Sequence, residues 1–106
     1  MTTPTPPART GAEREAALAK AAHARTVRAE LRTEVVAGAV DLPEVFRRAD
    51  EDPVVANIKL LTLLEAIPNI GKVRSRRLLD ELGISPKRRL RGVGARQRER
   101  LEERLS

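Results

Sequence analysis

Residues 12–37 form an uninterrupted run that contains neither proline nor glycine and is rich in alanine. Alanine has the highest helix propensity of the amino acids, and this preference becomes informative when it is summed over so long a window. The run therefore predicts one long helix over residues 12–38, with Gly38 as the residue that stops it. Larger apolar side chains recur at helical spacing only in the second half, so that half is expected to pack on a core.

Aliphatic side chains must build that core, because aromatic residues make up 1% of the chain and Phe46 is the only one. Aliphatic residues without strand-like alternation favour helices packed on helices. We therefore expect an all-α fold in which a long N-terminal helix packs on a small helical domain. Residues 12–106 are expected to form this single domain. Residues 1–11 are rich in Thr and Pro and lack an apolar segment, so we expect a disordered tail and not a signal peptide.

Local signals divide the rest of the domain into helices. Asp41 and Glu44 resemble a capping box at the start of a helix. The strongly apolar stretch 54–67 predicts the centre of the core, with a break near Lys59 left open, so core helices are expected over residues 42–67. Three further helices are predicted, over residues 73–82, from Ser85 onward, and over residues 95–105.

The sequence contains no recognisable group for catalysis or metal binding. Cysteine is absent, which excludes disulfides, thiolate catalysis and thiolate metal sites. His23 is the only histidine and lies on the weakly anchored half of the long helix, so a solvated side chain is expected. No apolar run approaches the roughly 18 residues that a membrane span requires. We therefore expect a cytoplasmic protein that is not an enzyme and has no cofactor, metal or membrane partner.

Positive charge is concentrated near the C-terminus. Residues 1–66 contain 9 Lys and Arg against 10 Asp and Glu, whereas residues 67–106 contain 12 against 5. Helical surfaces that serve only solvation normally mix both signs of charge. A basic patch on one part of a domain is typical of a protein that binds a polyanion. The sequence therefore points to a nucleic acid as the partner.

A glycine turn opens the basic segment, where residues 68–72 read Pro-Asn-Ile-Gly-Lys between an apolar and a basic helix. Without a Cβ at Gly71, a phosphate can approach the backbone, and the first N–H groups of the helix, from Gly71 to Val73, lack partners within that helix. Arg74 and Arg77 would add charge around the same phosphate. Such a turn binds the nucleic-acid backbone and does not read base sequence.

The apolar residues of this turn have predicted roles of their own. Ile67 and Ile70 are expected to anchor the turn in the core. Pro68 ends the preceding helix, which is a sufficient reason for a proline at this position. A second hypothesis is that an exposed Pro68 acts as an apolar wedge between base pairs and helps to kink DNA.

A weaker copy of the pattern lies 23 residues downstream, where residues 90–98 match residues 67–75 in their apolar and glycine positions. Gly94 of the copy takes the place of Gly71. Two glycine turns that each open a basic helix are predicted to hold successive phosphates across a groove. The alternative is that Gly92 and Gly94 only form a tight turn between short helices.

The segment EAIPNIGKVRSRRLLDELGISPKRRLRGVGARQRERL resembles the actinobacterial integration host factors, which are small nucleoid-associated proteins. The Ala-rich helix and the segment DLPEVFRRAD also resemble this family, so the similarity extends over nearly the whole chain. The resemblance implies an all-helical domain with a helix-two-turn-helix unit related to the ribosomal S-thirteen type, here over residues 60–105. It also implies binding of double-stranded DNA in the nucleoid, with little sequence specificity and with bending or compaction of the duplex.

The predicted DNA-binding residues are the two glycine turns and the basic side chains around them. They are Pro68, Asn69, Gly71, Lys72, Val73, Arg74, Arg77, Arg88, Arg89, Arg91, Gly92, Val93, Gly94, Arg96 and Arg98. A candidate second DNA contact consists of Arg25, Arg28 and Arg32, which lie near one another on the long helix, although solvation alone explains each of them singly. A monomer in solution is expected, because the sequence has no obvious heptad seam.

Other functions fit parts of the sequence. The strongest alternative is binding of structured RNA, because S-thirteen-like units occur in ribosomal proteins and a backbone clamp does not cleanly distinguish A-form from B-form duplexes. The long N-terminal helix and the lack of an extended basic tail favour DNA. A helical adaptor for an acidic protein is a weaker alternative. A DNA glycosylase is remote, because it would need a catalytic domain or an N-terminal nucleophile.

Overall fold

The structure is a computed structural model that describes residues 11–105. Within this range the chain folds into α-helices and one short 3-10 helix without strands, so the predicted all-α class is confirmed. The helices are α1 (Gly11–Val36), α2 (Leu42–Glu51), α3 (Pro53–Ala56), α4 (Leu60–Ala66), α5 (Gly71–Glu81) and α6 (Ala95–Leu105), and the 3-10 helix is Leu90–Gly92. The predicted tail lies outside the described residues except for Gly11, which is the first residue of α1.

The second half of α1 packs on the rest of the protein, while its first turns are exposed. Leu31 and Val35 are buried at 2% exposure each. The helix ends in a Schellman motif, in which the N–H of Ala39 donates to the carbonyl of Glu34 at 2.9 Å. This motif needs a left-handed residue, and Gly38 supplies it with a φ of 74°. None of the described helices is both long and apolar enough to span a membrane.

The start of α2 contains half of the predicted capping box. The Asp41 carboxylate accepts the N–H of Glu44 at 3.0 Å, as such a box requires. The Glu44 carboxylate does not return to the backbone and instead accepts hydrogen bonds from Arg47 and Arg48. These two arginines lower the pKa of Glu44 to about 2. Arg48 also reaches Glu34 at 3.1 Å, so this group of charges ties α2 to α1.

The apolar stretch 54–67 is divided between α3 and α4, and the break lies where the sequence left one open. Between the two helices the chain extends and pairs with a distant segment. The N–H of Leu60 donates to the carbonyl of Arg88 at 3.0 Å, and the N–H of Leu90 donates to the carbonyl of Ile58 at 2.9 Å. Leu60 and Leu90 are both fully buried, so this pairing crosses the centre of the core.

The prediction of a helix that begins at Ser85 is wrong. The hydroxyl oxygen of Ser85 accepts the N–H of Lys87 at 3.1 Å and closes a turn, after which the backbone extends at Arg89. The physical reason is tertiary, because Arg89 must be extended to pair with Lys59 through the hydrogen bonds that join Arg88 to Leu60 and Leu90 to Ile58. The next helical residues are those of the short 3-10 helix.

Candidate nucleic-acid interface

The first glycine turn has the open backbone that a phosphate site requires. Asn69 and Gly71 adopt left-handed conformations, with φ of 69° and 73°, and a Cβ added at Gly71 would meet no atom within 4 Å. No carbonyl or side-chain oxygen in residues 11–105 accepts the N–H groups of Gly71, Lys72 and Val73. These three donors therefore remain available at the N-terminus of α5, where the helix dipole also favours an anion.

The anchoring of this turn agrees with the prediction in part. Ile67 is half-buried and packs against the core, whereas Ile70 is half-buried but is not among the side chains packed on it. Ser75 anchors the turn as well, because this side chain is fully buried and its hydroxyl donates to the carbonyl of Gly71 at 2.6 Å. Ser75 was not among the predicted residues, although a serine four residues after the glycine is the signal that could have identified it.

The second glycine turn is not a geometric copy of the first. Its N–H groups already have acceptors: Gly92 donates to the carbonyl of Arg89, Val93 to the carbonyl of Leu90 and Gly94 to the Gln97 side chain, at 2.9, 3.1 and 3.2 Å. Neither glycine has a positive φ. The N–H groups of Gly92, Val93 and Gly94 are therefore not free for a phosphate, whereas those of Ala95 and Arg96, at the places that Lys72 and Val73 take in the first turn, have no backbone acceptor in residues 11–105. The Gln97 side chain caps α6 by accepting the Gly94 N–H, and this role was not predicted.

Arg88 stabilises the second turn through hydrogen bonds of its side chain. Its Nη1 donates to the carbonyl of Gly92 at 2.9 Å and lies 3.3 Å from the Gln97 amide oxygen. The stem of Arg88 crosses so close that a Cβ on Gly92 would lie 2.8 Å from the Arg88 Cδ. A Cβ at position 92 would therefore require the Arg88 side chain to shift, so Gly92 matters here for its small size and not for a positive φ. A guanidinium has five N–H donors, so Arg88 keeps others for a ligand.

The neighbouring predicted arginines differ in how free they are. Arg89 is half-buried and donates to the carbonyl of Asn57 at 2.6 Å. Arg91 and Arg96 are exposed. Among the described residues, no carboxylate pairs with either of these two exposed side chains. They are therefore the freest charges of this turn.

Arg98 was predicted as a DNA contact, but the structure shows its half-buried guanidinium paired within the protein. Its Nη1 and Nη2 donate to the Asp50 carboxylate at 2.9 Å each, and its Nε donates to the carbonyl of Val93 at 3.1 Å. The guanidinium also stacks over the Phe46 ring. Arg98 lowers the pKa of Asp50 by these hydrogen bonds. The donors that would bind a phosphate are therefore used to join α6 to α2.

Basic side chains lie on both flanks of α5. Arg74 and Arg77 line one groove, next to Arg104 of α6. On the opposite flank Arg76 lines a second groove together with Lys59 and Lys87. These three side chains were absent from the predicted set. Their positions at separate points of the sequence gave no local pattern, and only the tertiary fold brings them together.

The ion pairs of the protein divide its cations into two groups. Arg47, Arg48, Arg98 and Arg104 each pair with a carboxylate of α1, α2 or α5. None of the exposed cations around the first turn, on the flanks of α5 or in the loop before α6 has such a partner within residues 11–105: Lys59, Lys72, Arg74, Arg76, Arg77, Lys87, Arg91 and Arg96. This face, which we call the open basic face, therefore keeps its full charge.

Arg25, Arg28 and Arg32 are exposed on α1, where helical spacing places them beside the buried stripe that contains Leu31. No group of three or more His, Cys, Asp or Glu side chains in the described part of the chain is arranged to hold a metal ion.

Comparisons with known proteins agree with this architecture. Residues 35–105 match the model of the S13-like H2TH domain family. The integration host factor of Mycobacterium tuberculosis is 46% identical over 99 residues, which cover 93% of this chain and 94% of the relative. That of Streptomyces coelicolor is 42% identical over 96 residues, or 91% and 90%. A solved structure of sIHF bound to an 8bp palindromic DNA superposes with a TM-score of 0.78 at 39% identity, covering 82% of this chain and 98% of that one.

Proposed function

The chain belongs to the family of integration host factors built on an S13-like H2TH domain, and from this premise we propose that it binds double-stranded DNA through the phosphate backbone and bends or compacts it in the nucleoid. The observation that carries the proposal is the open basic face, whose eight exposed cations have no carboxylate partner in the described chain, together with the free N–H groups at the start of α5. Unpaired charge of this kind attracts a polyanion most strongly.

The first turn acts as the point of closest approach. A phosphate oxygen placed at the mouth of α5 accepts the free N–H groups of Gly71, Lys72 and Val73, and the missing Cβ of Gly71 leaves room for it. The ammonium group of Lys72 neutralises the same phosphate. The Val73 side chain is 73% exposed next to these donors, so it is available to contact the sugar of the bound nucleotide.

The second turn contributes charge, while the N–H groups of Gly92, Val93 and Gly94 are used within the protein. Arg91 and Arg96 reach outward, whereas Arg88 and Gln97 keep the turn rigid. Because Arg88 and Arg89 each use part of their guanidinium inside the protein, they serve both to position the turn and to bind DNA. All of these contacts are directed at phosphates, so sequence preference is expected to be slight.

The remaining parts of the proposal concern the assembly. Each chain binds as a monomer, and Arg25, Arg28 and Arg32 form a second contact surface for the far side of a bent duplex or for another duplex. This second surface is supported by the exposure of all three side chains on α1.

A salt titration tests the proposal. Binding to random-sequence duplex DNA should weaken with a slope of log K against log salt of about −5 to −6, which corresponds to roughly 5 to 7 neutralised phosphates. Matched duplex RNA should bind more weakly. Substitution of Lys72, Arg91 and Arg96 by alanine should reduce the slope by about 2 to 3, since each removes one phosphate contact.

The matched control is the triple alanine variant of Arg14, Lys20 and Arg100, which removes the same net charge from exposed side chains outside the open basic face that form no ion pair in residues 11–105. Its slope should stay close to that of the unmodified protein. Equal loss of slope in both variants would show that only net charge matters. Equal or stronger binding of duplex RNA would favour a structured-RNA ligand instead.

A further inference from the structure

A second groove on the open basic face has the composition of a phosphate site. Lys59, Arg76 and Lys87 line it together with the hydroxyl-bearing residues Thr62 and Ser85, and no carboxylate belongs to its lining. Its volume is about 620 Å³. Three cations from separate segments, with two hydroxyl groups among them, can satisfy the oxygens of a phosphodiester by charge and by hydrogen bonds.

Backbone pairing and a side-chain hydrogen bond fix the positions of Lys59 and Ser85 in this groove. Lys59 lies in the extended segment that pairs with Arg89, so its backbone is held by the buried hydrogen bonds of Leu60 and Leu90. The Ser85 hydroxyl oxygen accepts the N–H of Lys87, which leaves the Ser85 O–H free to donate into the groove. The groove is therefore rigid on two sides and needs little rearrangement to receive an anion.

The charge of the groove is not neutralised from within the protein. Asp80 stands four residues after Arg76 on α5, yet these two side chains form no ion pair, and Glu65 of α4 pairs with none of the groove cations in the described chain. A basic residue that precedes its acidic partner by four positions is the less favourable order on a helix. Arg76 therefore stays available to an external anion.

We propose that this groove binds a phosphate of the DNA strand opposite the one that is held at the Gly71 turn. The inference rests on the proposed function and extends it to the second strand. Arg76 faces the groove on one flank of α5, while Arg74 and Arg77 line the other flank. A helix is about 10 Å across with its side chains, and the minor groove of B-DNA is about 6 Å wide, so the end of α5 is of a size to lie over that groove with a basic flank toward each strand.

The test compares duplex and single-stranded DNA of the same length. The triple alanine variant of Lys59, Arg76 and Lys87 should lose roughly 100-fold in duplex affinity near 0.1 M salt and reduce the salt slope by about 2 to 3. Its affinity for single-stranded DNA should fall less than tenfold, because the groove then has no second strand to bind. The variant of Arg14, Lys20 and Arg100 serves again as the charge-matched control, and thermal unfolding of each variant verifies the fold.

The outcomes separate the two proposals. If the unmodified protein does not bind duplex DNA, the proposed function fails. If the unmodified protein and the control bind duplex DNA and the groove variant binds it equally well, only the second-strand site fails. Equal losses on duplex and single-stranded DNA would also overturn it, because they would place all contacts on one strand.

Discussion

The guanidinium carbon of Arg98 lies 4.7 Å from the centroid of the Phe46 ring. The same guanidinium forms a forked pair with Asp50 across the interface of α2 and α6. Phe46 is 2% exposed, so the stacked face of Arg98 is removed from solvent. Arg98 also donates to the carbonyl of Val93 in the second glycine turn. This arrangement therefore joins the second glycine turn and the start of α6 to α2.

Removal of Arg98 should therefore reduce stability more than DNA binding. The Arg98→Ala variant loses a desolvated cation–π contact and a hydrogen bond to the Val93 carbonyl, so its free energy of unfolding should fall by about 2 kcal/mol. Arg98→Lys keeps the charge but not the fork, and it should remain destabilised. Urea denaturation measures both effects. Recovery of stability in the lysine variant would contradict the structural role, and Arg100→Ala on the exposed side of α6 is the control.

Acid should weaken the contacts of Glu44 and Asp50. The pKa of Glu44 is lowered from 4.5 to about 2 by Arg47 and Arg48, and that of Asp50 is lowered by Arg98. Since the folded pKa values lie below the unfolded ones, this stabilisation is present above about pH 4.5 and is lost as the pH falls towards 2. In urea denaturation, Glu44→Gln should be less stable than the unmodified protein at pH 7, and the difference should disappear near pH 2.

The control for this pH dependence is Glu99→Gln, which replaces an exposed carboxylate without an ion pair in residues 11–105. It should follow the unmodified protein at every pH. A constant difference between Glu44→Gln and the unmodified protein from pH 7 to pH 2 would contradict the assignment.

Local signals explain why much of the fold was predictable. Gly38 and Gly83 end helices in left-handed conformations, and Asp41 caps one through its own side chain. The helix expected from Ser85 failed because its segment pairs with residues 58–60, and a contact between segments so far apart in sequence leaves no local pattern.

The same distinction applies to the candidate site. The first turn was recognisable because its glycine, its proline and its basic helix are adjacent in sequence. The pairing of Arg98 was not predictable because its partner Asp50 lies 48 residues earlier, and a row of arginines does not reveal which of them pairs within the protein. Lys59, Arg76 and Lys87 were missed for the converse reason, since three separated cations converge only in the folded chain.

Two glycines with the same backbone conformation allow the phosphate contact to be separated from backbone strain. Gly71 and Gly38 have φ of 73° and 74°, and a Cβ on either would meet no atom within 4 Å. Alanine in this conformation costs roughly 1 to 2 kcal/mol, so Gly71→Ala and Gly38→Ala should lose similar stability. Only Gly71→Ala should lose DNA affinity, by about tenfold, because its methyl group occupies the approach to the free N–H groups.

Thermal unfolding and fluorescence anisotropy on a labelled duplex measure these two quantities. Unchanged DNA affinity in Gly71→Ala, or an equal loss in Gly38→Ala, would remove the Gly71 turn from the proposed interface.

Pro68 is exposed at the tip of the first turn, after the extended residue Ile67. An apolar ring at this point can enter between base pairs of a minor groove and unstack them. Pro68→Ala should therefore reduce the bend of saturated DNA more than it reduces affinity, as measured by energy transfer between dyes at the two ends of a duplex. Pro53→Ala, at the start of α3, makes the same substitution outside the interface and should leave the bend unchanged. If Pro68→Ala bends saturated DNA as much as the unmodified protein does, Pro68 serves only to end α4. Any bend of the duplex would then have to come from neutralisation of phosphates along the open basic face.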